Sequence, residues 1–172
     1  MKLHLPLLFT LMSAPLVLAS ISPGTVVSDL GHVETDLINL SRFVLGYGSP
    51  DVNNTHIADN VKRLEDHAAS AIEHIPQLDV LNTKDSETIA ETAAQVANAV
   101  HRYLETVVRM KYAFAGRNYI HVMRENMQRF RQQTWSIGTV IQTKVQPDYA
   151  RRIKESYQPV DQEFDNAIKE YQ

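Results

Sequence analysis

Residues 26–47 read VVSDLGHVETDLINLSRFVLGY, with apolar side chains at Val26, Leu30, Val33, Leu37, Leu40, Val44 and Tyr47. The steps alternate between four and three. This spacing keeps one face of an α-helix toward its neighbours, whereas a strand would need an apolar residue at every second position. Sustained for three heptads, the stripe predicts an amphipathic helix inside a bundle. Gly46, Gly48 and Pro50 bring it to a stop.

Four more stripes of the same period follow. Ile57, Val61, Leu64, Ala68, Ile72 and Ile75 mark a second helix, with Asn54 or Thr55 to cap its start and Pro76 at its end. Asp85 and Glu87 suit the positive N-terminal end of a third. Its stripe runs Ile89, Ala93, Val96, Val100, Leu104, Val107, Lys111 and Phe114, up to Gly116. The fourth is Tyr119, Met123, Met127, Phe130, Thr134, Ile137, Ile141 and Val145. Gly138 costs such a helix about 1 kcal/mol relative to alanine, which suggests a neighbour approaching closely there. Pro147 suits the first turn of a fifth helix, with Tyr149, Ile153, Tyr157, Val160, Phe164, Ile168 and Tyr171 inward. Pro159 lies inside that stripe without breaking its phase, so a kink is expected. The fold class is all-α: an antiparallel bundle of about five amphipathic helices, the last kinked at a proline.

Residues 1–19 read as a secretory signal, with a polar start at Lys2 and His4, an apolar run from Leu5 to Met12, and Val17-Leu18-Ala19 as a cleavage site. A single helical-bundle domain over 20–172 is expected, secreted to the extracellular space or the cell wall. Small secreted domains often rely on disulfides, but this chain has no cysteine. About 150 residues suffice to bury a core without them. No later stretch has the length and apolarity of a transmembrane helix or a lipid-anchor tail. Glycosylation sequons stand at Asn53, in a turn, and at Asn39, within a helical pattern.

The net charge of −3 conceals a lopsided distribution. From Ile21 to Val100 there are 12 acidic and 4 basic residues, from His101 to Lys154 3 acidic and 11 basic, and from Glu155 onward 5 acidic and 1 basic. Such blocks mark either a partner site or oppositely charged helices lying side by side. Nucleic acid does not fit a secreted, acidic chain.

The sequence has no G-x-S-x-G elbow, no H-E-x-x-H, no phosphate-cradling glycine loop and no cysteine nucleophile, so no catalytic residue is assigned. His67 and His74 stand two turns apart, about 10 Å by helix rise, too far to share one ion. They read as surface histidines, and no metal site or cofactor is expected. His121 and Glu125 read as a helix-surface contact. Arg117, Arg124 and Arg131 recur every seven residues, able to clamp an anion or to line a wet helix flank, with Arg131 one turn from Trp135.

The chain resembles the fungal hydrophobic surface binding protein A family, which includes the cell-wall galactomannoproteins. The likeness covers nearly all of the chain after residue 20. It lies in the opening Val26-to-Leu40 segment with Asp-Leu near its start, in Leu81-Asn-Thr-Lys-Asp-Ser-Glu-Thr-Ile89, and in a Lys-x-x-Phe at Lys111 to Phe114. It continues through Gln142-Thr-Lys-Val145 to a closing Asp-x-x-Phe-x-x-Ala-Ile-x-x-Tyr that ends at Tyr171. The resemblance implies a secreted, non-catalytic helical domain that adsorbs to hydrophobic surfaces or holds fatty acids within its bundle. This chain is richer in Arg, His and Tyr than the family pattern and lacks its Ser/Thr-rich tail, which favours a freely secreted form.

Together these observations predict a fatty acid or other amphiphile between the helices near Leu37, Leu40, Val44, Val100, Leu104, Met123, Met127 and Phe130, with methionines giving an adaptable wall. Arg124 and Arg131 would meet an anionic headgroup. The competing expectation is a solid bundle, a secreted effector or wall component acting through its outer surface on a host or wall partner.

Overall fold

A computed structural model describes residues 21–49 and 52–172; the signal-like segment at 1–19 lies outside the described residues. Every member of the first stripe is buried, from Val26 to Tyr47. The helix carrying it, α1 (Pro23–Leu45), starts where the Ser22 hydroxyl accepts the Thr25 N–H at 3.2 Å and proline occupies the first turn.

Helix α2 (Asn54–His74) is capped by Asn53, one residue ahead of the expected Asn54 or Thr55. The Asn53 side chain accepts the His56 N–H at 3.1 Å and His56 Nδ1 accepts the Asn53 N–H at 3.3 Å, a reciprocal box. Asn54 serves a different bond, accepting the Tyr47 hydroxyl at 2.6 Å. Helix α3 (Thr83–Arg109) follows a 3₁₀ turn at Ile75–Gln77.

The third stripe does not stay on one helix. The chain tightens at Met110, whose N–H meets the carbonyls of Thr106 and Val107 at 3.1 and 3.0 Å, and Lys111–Ala115 forms a separate short α4. Asn118, at φ 53, turns the chain toward α5 (Ile120–Gln142). Helix α6 (Pro147–Glu170) runs on through Pro159. Near the ends of two stripes a small neighbour is buried more deeply than the expected residue, Ala71 beside Ile72 and Ala167 beside Ile168, although the last members, Ile75 and Tyr171, are fully buried. A 3.6-residue turn drifts from a 3.5-residue pattern by about 20° per heptad, so the seam is shared between neighbouring positions there.

Helix α1 packs on α2 and α3, α3 on α6, α6 on α5, and α5 on α2. The five long helices therefore close a ring in the order α1–α2–α5–α6–α3. Chain direction alternates along the sequence, but two connections cross the ring ends, so only α1–α2 and α5–α6 are antiparallel neighbours. At one end the 75–82 and 143–146 segments meet, with the Leu81 N–H on the Lys144 carbonyl at 3.0 Å and Lys144 Nζ on the carbonyls of Pro76 and Leu78, both at 2.7 Å. At the other end the Tyr47 ring lies 4.4 Å from Phe114 and 5.9 Å from Tyr119, and Phe114 lies 6.4 Å from Tyr171.

Leu40 is fully buried in the ring. Leu40→Asp places an unpaired carboxylate there and is expected to cost several kcal/mol. Urea denaturation checks it: an unchanged midpoint would mean that the buried face is misassigned.

Candidate functional site

Side chains from all five long helices converge on a small void at the ring axis, about 20 Å³ in volume. Val33 and Leu37 come from α1, Leu64 and Ala68 from α2, Val96 and Val100 from α3, Phe130, Gln133, Thr134 and Ile137 from α5, and Phe164 from α6. The space holds at most one water, against about 300 Å³ for the smallest ordinary ligand pockets. One polar atom in its lining has no partner: Gln133 Oε1 is buried and makes no hydrogen bond. An unmet buried acceptor costs about 1–3 kcal/mol.

All eight predicted apolar residues are buried. Leu37, Val100 and Phe130 line the axial void. Leu40, Val44, Leu104, Met123 and Met127 are packed nearer the aromatic end. Sequence reasoning missed Gln133 as a lining residue, because it stands one position off the stripe. Thr134, the single polar member of the fourth stripe, was the available signal.

The arginine row separates into three environments. Arg117 lies over the Tyr47 ring, 5.2 Å from its centre, and donates to the Gly48 carbonyl at 3.2 Å. Arg124 meets His121 Nδ1 at 3.3 Å. Arg131, expected at an anionic headgroup, has its guanidinium on two carboxylates of α6. Nε and Nη2 reach Asp161 at 2.7 and 3.1 Å, and Nη2 reaches Asp165 at 3.2 Å. A planar donor fork holding two carboxylates is a strong arrangement. The Arg131 hydrogen bond holds the Asp161 carboxyl below the usual carboxylate range.

The same packing accounts for the charge blocks. Basic α5 lies between acidic partners, with Arg129 on Glu65 of α2 at 2.7 Å and Arg131 on α6. His67 and His74 are not free surface groups, another departure from expectation. His67 Nδ1 pairs with the buried Asp36 of α1, and His74 Nδ1 with Asp29 at 2.7 Å. The two histidines thus tie α2 to α1. His121 contacts Glu125 at 3.0 Å on the open face of α5. No group of His, Cys, Asp or Glu able to hold a metal ion occurs among the described residues, and none of their helices is long and apolar enough to cross a membrane. Of the sequon residues, Asn53 is exposed, whereas Asn39 is half-buried in mid-helix and accepts from Arg42 at 3.4 Å.

At Gly138 helices α5 and α6 touch through backbone and ring. A Cβ there would fall 2.5 Å from Tyr157 Cδ1, so only glycine lets the ring lie flat on α5. The Tyr157 and Tyr103 hydroxyls are both buried without partners. Burial pushes both phenols far above their ordinary range.

No protein-family model matches the chain, and no curated protein matches it. Solved structures do. AfMp4p in complex with palmitic acid superposes with a TM-score of 0.84 at 16% identity, over 88% of this chain and 100% of that one. Ligand binding domain 1 of the Penicillium marneffei MP1 protein, complexed with arachidonic acids, gives 0.79 at 12% identity over 88% and 99%. Domain 2 of the same protein, complexed with multiple arachidonic acids, gives 0.78 at 8% identity over 89% and 97%. The chain has their fold. Sequence identity this low carries the helix arrangement and not the contacts within it.

Arg124→Gln is expected to leave thermal stability within about 0.5 kcal/mol, since its contact with His121 is open to solvent. Arg131→Gln should cost about 1 kcal/mol, since its network is partly open to solvent. Because Asp161 titrates lower in the folded chain, this contribution is present above the ordinary carboxylate pKa of about 4 and is lost as pH falls through the folded value. Thermal melts of the wild-type chain and Arg131→Gln should therefore differ at neutral pH and converge in acid, once pH falls below the lowered Asp161 value.

Proposed function

We propose that this chain is a secreted, non-catalytic binder of a fatty acid or similar single-chain amphiphile, held along the axis of the five-helix ring. The observation that carries the proposal is the axial void itself, lined by all five long helices, with Gln133, whose Oε1 is buried and unpaired, among its lining residues. A fold shared with AfMp4p and both MP1 domains, each solved with a fatty acid, supports a fatty acid as the class of ligand. The hydrophobic surface binding protein A family, with its cell-wall galactomannoproteins, is the grouping we infer from the sequence motifs.

Magnitudes constrain how such a ligand would be held. Opening about 300 Å³ in a packed core costs about 7 kcal/mol at 24 cal/mol per Å³. Fourteen buried methylenes return about 11 kcal/mol. The difference, about 4 kcal/mol, is only millimolar affinity. Micromolar binding then requires polar contacts worth several kcal/mol more, and the Gln133 amide with neighbouring Thr134 is the polar pair on the void. The head would sit there, with the tail running past Leu40, Val44, Met123 and Met127 toward the aromatic end. An amide accepts a carboxylic acid proton or an alcohol and, turned over, donates to a carboxylate.

Adsorption to a flat hydrophobic surface would require the helices to part. The most exposed large apolar side chains are Val80 at one end, Tyr112 at the other and Trp135 on α5, with Ile38 and Leu45 less exposed and two turns apart on α1.

Calorimetric titration of delipidated protein with palmitate and with a short-chain acid tests the proposal. Palmitate is expected to bind below about 10 μM and the short acid only above about 1 mM. Equal heats from both would mean a solid core and a protein acting through its surface. Gln133→Leu should stabilise the empty protein, having removed an unmet acceptor, and weaken palmitate binding. Tighter binding in that variant would exclude Gln133 as the polar anchor.

A further inference from the structure

Three spaces meet on the seam between α5 and α6. An open groove of about 780 Å³ lies outside Arg129, Arg131 and Trp135, and a second of about 380 Å³ lies outside Gly138, Trp135 and Tyr157. Beneath both is a void of about 10 Å³, whose outer lining includes Arg131, Trp135, Tyr157 and Asp161 and whose inner lining includes Thr134 and Phe164. Thr134 and Phe164 also line the axial void. Surface and axis are therefore separated on this seam by little more than those two side chains. None of the open grooves, the one of about 520 Å³ between α3 and α6 included, shares a lining residue with the axial void directly; on the α5–α6 seam the void of about 10 Å³ supplies the link.

The seam is also built to part. Pro159 lacks an N–H, which leaves the Glu155 carbonyl without its helical donor and loosens α6 in the middle. The Tyr157 ring rests against Gly138 with no side chain to interlock, and its hydroxyl has no hydrogen bond to break on moving. Among the described residues, the side-chain hydrogen bonds that cross the seam are those of Arg131 to Asp161 and Asp165. These groups are 33–44% exposed, so water and salt weaken the clasp. Trp135, the single tryptophan, stands 64% exposed at the outer rim, a large apolar surface that the fold leaves uncovered.

We infer that the α5–α6 seam is the portal by which a single-chain amphiphile reaches the ring axis, with Trp135 and Tyr157 as its movable leaf and the Arg131–Asp161–Asp165 clasp as its latch. The inference rests on the binding proposal above. The apolar tail docks against Trp135, Tyr157 swings off Gly138, and the chain slides between Thr134 and Phe164 into the axis. Salt, which screens the clasp, should speed this passage.

The sequence makes the test clean, since the chain has no cysteine. A Cβ at position 138 would lie 3.0 Å from Tyr157 Cγ, which brings the two Cβ atoms within reach of a disulfide, about 3.5–4.5 Å. The double variant Gly138→Cys/Tyr157→Cys, compared oxidised and reduced, staples or frees the seam in one protein. Uptake of a fluorescent polyene fatty acid is followed by stopped flow, with Trp135 as the energy donor. Oxidation should slow uptake at least tenfold, and reductant should restore it at unchanged helicity. Equal rates in the two states, with the probe still bound at equilibrium, would overturn the portal and leave the binding proposal standing. Arg131→Gln gives an independent reading that does not depend on the staple folding. It should raise association and dissociation rates together, two- to fivefold, because a latch alters the barrier and not the bound state. Unchanged rates would overturn the latch. If the wild-type chain takes up neither probe nor palmitate at equilibrium, binding and portal fall together.

Discussion

Five helices around one axis cannot all touch it. At an interaxial spacing of about 9 Å, a four-membered ring puts each helix about 6.4 Å from the centre and a five-membered ring about 7.7 Å. The extra radius has to be filled by side chains. Phe130 and Phe164 reach in from α5 and α6, Leu37 and Leu64 from α1 and α2, and a void of about 20 Å³ still remains. The interior void follows from this geometry. A bundle that must fill a wide centre with flexible side chains can be emptied more readily than one whose helices meet on the axis.

Polar chemistry decides which helices are neighbours. Asp36, almost fully buried on α1, is met by His67 and approached by Arg63 at 3.6 Å. A buried carboxylate without such partners would be costly, so these contacts fix the α1–α2 pairing as well as stabilising it. Arg129 and Arg131 do the same for α5, between Glu65 on one side and Asp161 and Asp165 on the other. The order α2–α5–α6 therefore follows charge, whereas the depth at which each helix sits follows its apolar stripe.

The stripes were readable in the sequence because burial repeats with the helical period: all seven residues from Val26 to Tyr47 are inside. Gly138 was readable too, since a glycine in mid-helix needs a reason and Tyr157 supplies one. The ring order was not. Periodicity says which face is inward but not which helix lies next to it, so nothing in the stripes predicted that α2 would border α5. For the same reason Arg131 looked like a free anion site: its partners at Asp161 and Asp165 lie about thirty residues away along the chain. Gln133 escaped notice because an off-stripe glutamine reads as solvated until packing buries its oxygen.

Synthesis order gives the closing of the ring a further meaning. Four staves, α1, α2, α3 and α5, are made before α6, and until α6 arrives the gap between α5 and α3 lies open to solvent. A nascent chain at that stage exposes the apolar sides of α3 and α5 to whatever apolar molecules surround it. The last stave then shuts the gap at two joints, His101 to Glu163 at 2.9 Å on the α3 side and the Arg131 clasp on the α5 side. The interior is thus completed only when the final helix docks.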